Sequence, residues 1–179
     1  MGNFCGWSGA GLGPENSQQA LRAMLTACGE TAHNDSDSSY SDFCALGVSE
    51  GLYTTSCLYQ DGIRVALVGA PTWDDRQLSV TAEKQGNAVA LIKAYRRFGK
   101  DLLSRLHGPF ALAVLEGDQA LVAIDRIGIH SLSYALQEGI FVFSTSTGGV
   151  VGHPQIRRLL DPQAIFNYIY FYDIPSPGT

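Results

Sequence analysis

Phe110-Ala111-Leu112-Ala113-Val114-Leu115 is an unbroken apolar run with no alternation of polar and apolar residues. A strand with one wet face alternates, so this run predicts a strand buried on both faces. Working outward, Ala120–Asp125, Leu132–Leu136 and Ile140–Ser144 are further short strand patterns, with Gly117-Asp118 and Glu138-Gly139 as turns, and together they read as a meander. Upstream, Asp61-Gly62 between Ser56–Tyr59 and Arg64–Val68 predicts a hairpin. Asn16-Ser17-Gln18-Gln19, followed by Ala20, Leu21, Met24, Leu25 and Cys28, predicts a capped amphipathic helix. A second helix is predicted over Asn87–Phe98, with Val89, Leu91, Ile92 and Tyr95 inward and Gly99 as its stop. Leu102, Leu103 and Leu106 extend it as a short helical piece. A last helix begins at Asp161-Pro162, with Ile165, Tyr168, Ile169 and Tyr172 as its apolar stripe. Residues 30–41 and the Gly9–Gly13 segment read as loops, and Ser146–Gly149 as a connection after a strand. Doubly buried strands with helices at either end of the sequence predict an α+β fold, two stacked antiparallel sheets between helical layers.

Composition agrees with that architecture. The 179 residues are 45% hydrophobic and 16% charged, enough for one domain with a sizeable core. A formal charge of −5 argues against a nucleic-acid surface; Arg96, Arg97 and Lys100, at helical spacing, read as a solvated face. Cys5, Cys28, Cys44 and Cys57 form no CxxC pair and no zinc-ligand spacing with His33, His107, His130 or His153. Without a secretory or membrane-spanning apolar run, the expectation is a cytoplasmic protein with free thiols and no membrane partner.

Cys5-Gly6 is the sequence feature with the most chemical potential. A cysteine at a mature N-terminus has its own α-amine, with a pKa of about 8, to take the thiol proton, so one residue supplies nucleophile and base. That requires removal of residues 1–4. A different reading, acylation at Gly2 and Cys5, is disfavoured because Gly6 stands where the motif wants Ser or Thr.

A family resemblance supports the first reading. Leu106–Ala113, Asp125–Tyr134, Phe143–Ser146, His153-Pro154, Leu160–Ala164 and Ile174–Thr179 resemble, in order and spacing, landmarks of class II glutamine amidotransferase domains. Such domains stand at the N-terminus of asparagine synthetases and their relatives. The resemblance implies the four-layer αββα sandwich of N-terminal-nucleophile hydrolases across residues 1–179, with 1–4 as a removed leader and 173–179 as a linker to a synthetase domain. It implies glutamine, or a related amide, as substrate, hydrolysed through a Cys5 thioester, with ammonia passing to an ATP-dependent partner domain. No cofactor or metal is expected in this domain, and a homodimer is an open expectation.

The family's pocket groups are altered here. Gly69-Ala70-Pro71 takes the place of the Asn-Gly-Glu segment that supplies an oxyanion donor, a loss worth about 3 to 4 kcal/mol in the transition state. Backbone amides of Gly6 and Gly69 are the remaining oxyanion candidates, since Pro71 has none. Ala70 and Gly86 match substrate-binding positions without the expected side chains: Gln85-Gly86-Asn87 has no acid. No arginine falls within Leu46–Gly51. Asp125 and Arg126 read as a structural ion pair, and His107 and His130 receive no role. Two readings stay open: an active glutaminase of an asparagine-synthetase-like protein, or a pseudo-glutaminase kept as a structural partner.

Overall fold

The computed structural model describes residues 2–9, 11–29, 38–49, 51 and 54–175. Along the chain run β1 (Asn3–Ser8), α1 (Pro14–Ala27), β2 (Ser38–Tyr40), β3 (Cys44–Ser49), β4 (Thr55–Gln60), β5 (Ile63–Gly69), β6 (Thr72–Trp73), α2 (Arg76–Gln85) and α3 (Asn87–Phe98). A 3₁₀ turn (Gly99–Arg105) leads to β7 (Leu106–His107), β8 (Phe110–Glu116), β9 (Gln119–Ile124), β10 (Ser133–Gln137), β11 (Ile140–Ser144), α4 (Thr147–Gly152) and α5 (Pro162–Phe171).

The strands form two antiparallel sheets, ordered β10-β11-β1-β3-β2 and β4-β5-β8-β9, with β6-β7 as a small separate ribbon. The apolar run Phe110–Leu115 lies in β8, and its two faces serve two cores. Phe110, Leu112 and Val114 pack with Leu91 and Ile92 of α3. Ala111, Ala113 and Leu115 face the other sheet, packing with Phe4, Leu46 and Phe143. A third cluster joins Cys5, Trp7 and Val142 to Leu21 and Met24 of α1, with Val150 of α4. The layers are therefore α1 and α4, sheet, sheet, α2 and α3: the expected αββα sandwich.

The Asp61-Gly62 turn forms with both residues at positive φ, 50° and 83°, the backbone a two-residue hairpin demands. Gly99 ends α3 as expected, its amide returning to the Tyr95 carbonyl. The face α3 presents to the sheet is Ala88, Ala90, Leu91, Ile92 and Ala94, whereas Val89 and Tyr95 sit at its half-buried flanks. Alanines let helix and sheet approach closely, a role the apolar stripe alone does not reveal.

Four expectations are corrected, and one helix stands where none was expected. The first helix starts at Pro14, not Asn16, and Asn16 instead donates its side-chain amide to the Leu12 carbonyl at 2.9 Å. Arg76–Gln85 is helical, capped by the Asp75 carboxylate, which accepts from the Gln77 and Leu78 amides. Ser38–Tyr40 of the expected loop pairs with β3, while residues 30–37 lie outside the described residues. Thr147–Gly152 is a helix rather than a connection. The meander is interrupted: β9 closes one sheet and β10 belongs to the other, so the chain crosses between layers at 125–132. The helix α5 begins at the predicted Asp161-Pro162 cap, but its stripe does not face inward; among its described side chains only Ala164 is buried.

Candidate active site

The edge of the sandwich at the start of β1 gathers buried hydroxyls. The Asn3 amide donates to Ser49 Oγ at 3.2 Å, and Phe4 N–H donates to Thr145 Oγ1 at 3.1 Å. The Phe4 carbonyl accepts from the Thr145 amide at 3.1 Å and from Ser144 Oγ at 2.9 Å. Thr145 Oγ1 lies 3.0 Å from Asn3 Oδ1, and Ser131 Oγ donates to the Thr145 carbonyl at 2.9 Å. These bonds hold the residues ahead of Cys5 as an integral part of the strand. Buried polar groups persist when paired, and here the pairing anchors the start of β1.

Cys5 stands two residues inside that strand. It lies opposite Gly47 of β3 on one side and Ser144 of β11 on the other. Its side chain is fully buried in the cluster facing α1, and alternation along β1 directs Phe4 and Gly6 to the opposite, inter-sheet face. Burial, followed by hydrogen bonding to the Cys28 thiol and the proximity of Cys28 and Cys57, pushes the Cys5 thiol well above its ordinary value. A nucleophilic thiol needs the reverse, a depressed pKa and an approach path.

Gly6 has a packing reason for being glycine. A Cβ there would strike the Ala45 carbonyl and come within 3.0 Å of the Phe143 ring. Gly69, at φ 106°, has a Cβ position filled by the Pro109 carbonyl and by His130 Nε2 at 2.8 Å. The Gly69 amide donates to the Thr54 carbonyl at 3.0 Å, and the Ala70 amide to Pro109 at 2.9 Å. The Gly69 amide, one of the two oxyanion candidates, and the neighbouring Ala70 amide are thus engaged within the protein. Ala70 itself is exposed. Gly86 joins α2 to α3, its amide closing on the Ala82 carbonyl, in the helical layer on the far side of the other sheet from α1. The structure brings Gly69 and Ala70 beside Pro109, and leaves Cys5 and Gly86 in different layers.

The carboxylate and imidazoles nearby are also committed. Asp125 does not pair with Arg126, contrary to expectation. It is buried where the chain crosses between sheets, and its oxygens accept the amides of Ile127, Ile129 and His130 at 3.1 to 3.2 Å. Burial works against ionisation there, but the converging amides of Ile129, His130, Ile127 and Gly128 prevail and hold it below the usual carboxylate range. His153 is buried against Trp7, with ring centroids 4.9 Å apart, and desolvation lowers it to about 4, so it is neutral near pH 7. His107 meets Asp74 at 2.8 Å on the surface, beside a cavity of about 490 Å³ that Phe110, Asp125 and Ile129 also line. Sequence reasoning missed the hydroxyl cluster; the run Ser144-Thr145-Ser146 after a buried strand was its only visible trace. Among the described residues no group of three metal-ligating side chains converges, and no helix is long and apolar enough to cross a membrane.

Two stacked antiparallel sheets between helical layers, with the N-terminal strand at the centre of one, define the fold of N-terminal-nucleophile amidotransferases. Two solved structures share it: the glutamine phosphoribosylpyrophosphate amidotransferase from B. subtilis, at TM-score 0.53 and 16% identity over 83% of this chain and 42% of that one, and an allosteric regulatory enzyme of purine biosynthesis, at TM-score 0.54 and 18% identity over the same shares. The family model for the glutamine amidotransferase domain matches residues 76–179, and the chain belongs to that family. A curated relative, asparagine synthetase [glutamine-hydrolyzing] 3 of Bacillus subtilis (strain 168), is 25% identical over 99 residues, 54% of this chain and 16% of the relative. The matched part thus spans about a sixth of that relative's length.

Proposed function

We propose that this chain is a glutamine amidotransferase domain that keeps the fold and has lost the glutaminase chemistry, serving as the structural partner of an ATP-dependent synthetase related to asparagine synthetase. The observation that carries this reading is the position of Cys5, enclosed two residues inside β1 with its thiol turned toward α1. An N-terminal nucleophile must begin its strand, so that its amine is free and its side chain meets substrate. In this register the side chain that meets the hydroxyl-lined edge belongs to Asn3, which is not a nucleophile.

The competing reading, an active glutaminase exposed by loss of residues 1–4, carries a structural cost. It removes Phe4, which is fully buried between the sheets and meets Phe143 edge-on at 6.2 Å. Deleting a buried phenylalanine side chain costs about 3–5 kcal/mol. It also strips partners from Ser49, Ser144 and Thr145. The Gly69 amide, one of the oxyanion candidates, is already hydrogen-bonded to the Thr54 carbonyl.

The test is an N-terminal mass measurement before and after exposure to a glutamine-analogue electrophile, alongside a glutamine hydrolysis assay. The expected result is a chain that retains Asn3 and Phe4, takes up no adduct at Cys5 and releases no ammonia. Glutamine hydrolysis that disappears in Cys5→Ala would overturn the proposal.

A further inference from the structure

Cys5 has a second thiol beside it, and the fold selects which one. Cys44 and Cys57 belong to the core between the sheets, whereas Cys5 and Cys28 belong to the core under α1. Cys28 caps the C-terminal end of α1 between the exposed residues Ala27 and Gly29, and is itself half-buried. Cys5 is fully buried, and the two thiols share a hydrogen bond. All four cysteines are reduced. One face of β1 therefore carries a buried thiol in contact with a second thiol that solvent reaches.

The hydroxyl of Ser144 fixes how that contact is made. Ser144 stands opposite Cys5 in the pairing of β1 with β11. Its Oγ donates to the Phe4 carbonyl at 2.9 Å and accepts the Ser146 amide at 3.1 Å. Its one hydrogen is thus committed, so in the 3.6 Å contact with Cys28 Sγ the thiol is the donor. With the Cys28 hydrogen turned to Ser144, Cys5 donates the bond between the thiols and is aimed at the Cys28 sulfur. Gly149 of α4 makes the room: a Cβ there would strike Ser144 Oγ and come within 2.7 Å of Cys28 Sγ. An accessible sulfur with a second thiol poised behind it is the arrangement in which oxidation ends as a disulfide rather than climbing to higher acids.

We propose that Cys28 and Cys5 form a modification site for hydrogen peroxide, in which Cys28 is oxidised first and Cys5 converts it to a disulfide stapling α1 to β1. In the first step the Cys28 sulfur attacks one peroxide oxygen and the O–O bond breaks. The thiol proton leaves with the second oxygen as water, and Cys28 becomes a sulfenic acid. In the second step the Cys5 sulfur attacks the Cys28 sulfur, the S–O bond breaks, and the Cys5 proton departs with the hydroxyl as another water. The two thiols lose two electrons and the peroxide gains them, with no further reactant. The order follows from access, since burial keeps Cys5 from peroxide and holds its thiol protonated. Cys57 takes no part, because it packs in the inter-sheet core on the other side of β1. No glutamine chemistry enters, so the site stands apart from the function proposed above.

The test treats the intact native protein with hydrogen peroxide, then alkylates and maps it without reduction. Cleavage after Glu15, Arg22, Glu30 and Glu50 puts Cys5, Cys28, Cys44 and Cys57 on different peptides. The expected product has lost two hydrogens, about 2 Da, with the Cys5 and Cys28 peptides joined by a link that dithiothreitol opens. Cys57→Ala should form the same link. Cys5→Ala should instead accumulate Cys28 sulfenic acid, with dimedone capture at Cys28 rising roughly tenfold over the unaltered protein. A link between any other pair, Cys28 carried to sulfinic acid while Cys5 remains a thiol, or four unmodified thiols overturns the proposal.

Discussion

Strands β8 and β1 occupy equivalent places, each central in its sheet and buried on both faces, yet they differ in how openly their sequences say so. In β8 every residue from Phe110 to Leu115 is apolar, and the two cores it serves are visible in the run itself. In β1, Asn3-Phe4-Cys5-Gly6-Trp7-Ser8 mixes a polar start, a thiol and a glycine. Those residue types invite a chemical reading. The structure gives Phe4, Cys5, Gly6 and Trp7 packing positions of the kind that β8 fills with aliphatic residues. Residue type proposes chemistry; strand register decides which atoms can reach a substrate.

The comparison is sharpest at Phe4. If β1 is a packing strand like β8, Phe4→Ala should destabilise the protein by about 3–5 kcal/mol, in the same range as Leu112→Ala in β8, measured by urea denaturation. If Phe4 belongs to a dispensable leader, the loss will be close to zero. Gly6→Ala comes next. The added methyl meets the Ala45 backbone carbonyl, which cannot swing aside as a side chain can, so a loss of about 1–3 kcal/mol is expected. A tolerated alanine would mean that the sheets stand further apart than the packing around Phe143 indicates.

A pH titration tests the α1-facing side of β1. His153 has a folded-state value lowered to about 4 from an ordinary 6.5 by desolvation against Trp7. Between those values the unfolded chain binds the proton and the folded chain does not. Stability is therefore fully present above pH 6.5, falls as pH drops toward 4, and levels off below that. His153→Phe should flatten this slope in thermal melts recorded between pH 7 and 4; an unchanged slope would assign it to other groups. The smallest effect is expected at Cys5. Cys5→Ala removes one buried sulfur and should cost about 1 kcal/mol, with ammonia release from glutamine at background in both proteins. Thiol modification under native conditions should reach half-exposed Cys28 before Cys5.

The layered fold was legible because it rests on short-range signals. Non-alternating runs, the Asp61-Gly62 turn, the Asp161-Pro162 cap and Gly99 each report local backbone preference. Helix α2 was missed although Asp75 caps it, because its face carries little apolar signal beyond Leu78. The interrupted meander was missed because β9 and β10 look like successive strands of one sheet. At their separation stands Asp125, whose carboxylate gathers three amides at the crossing, an arrangement invisible to residue counting. The candidate site was less legible still. Its hydroxyls come from β3, from β11 and the residue after it, and from the segment before β10, and Gly69 and Ala70 meet Pro109 only because β5 pairs with β8.

The sequence by itself determined the class of fold, the strand and helix punctuation across most of the chain, and the resemblance that led to the amidotransferase family. These follow from apolar periodicity and turn chemistry, which act over a few residues. Tertiary structure alone decided which way each side chain of β1 points, that the amides of Gly69 and Ala70 are spent, and that the apolar stripe of α5 faces outward. Those outcomes depend on pairings between residues far apart in the chain. A shift of one residue in strand register carries a thiol from one face of a sheet to the other.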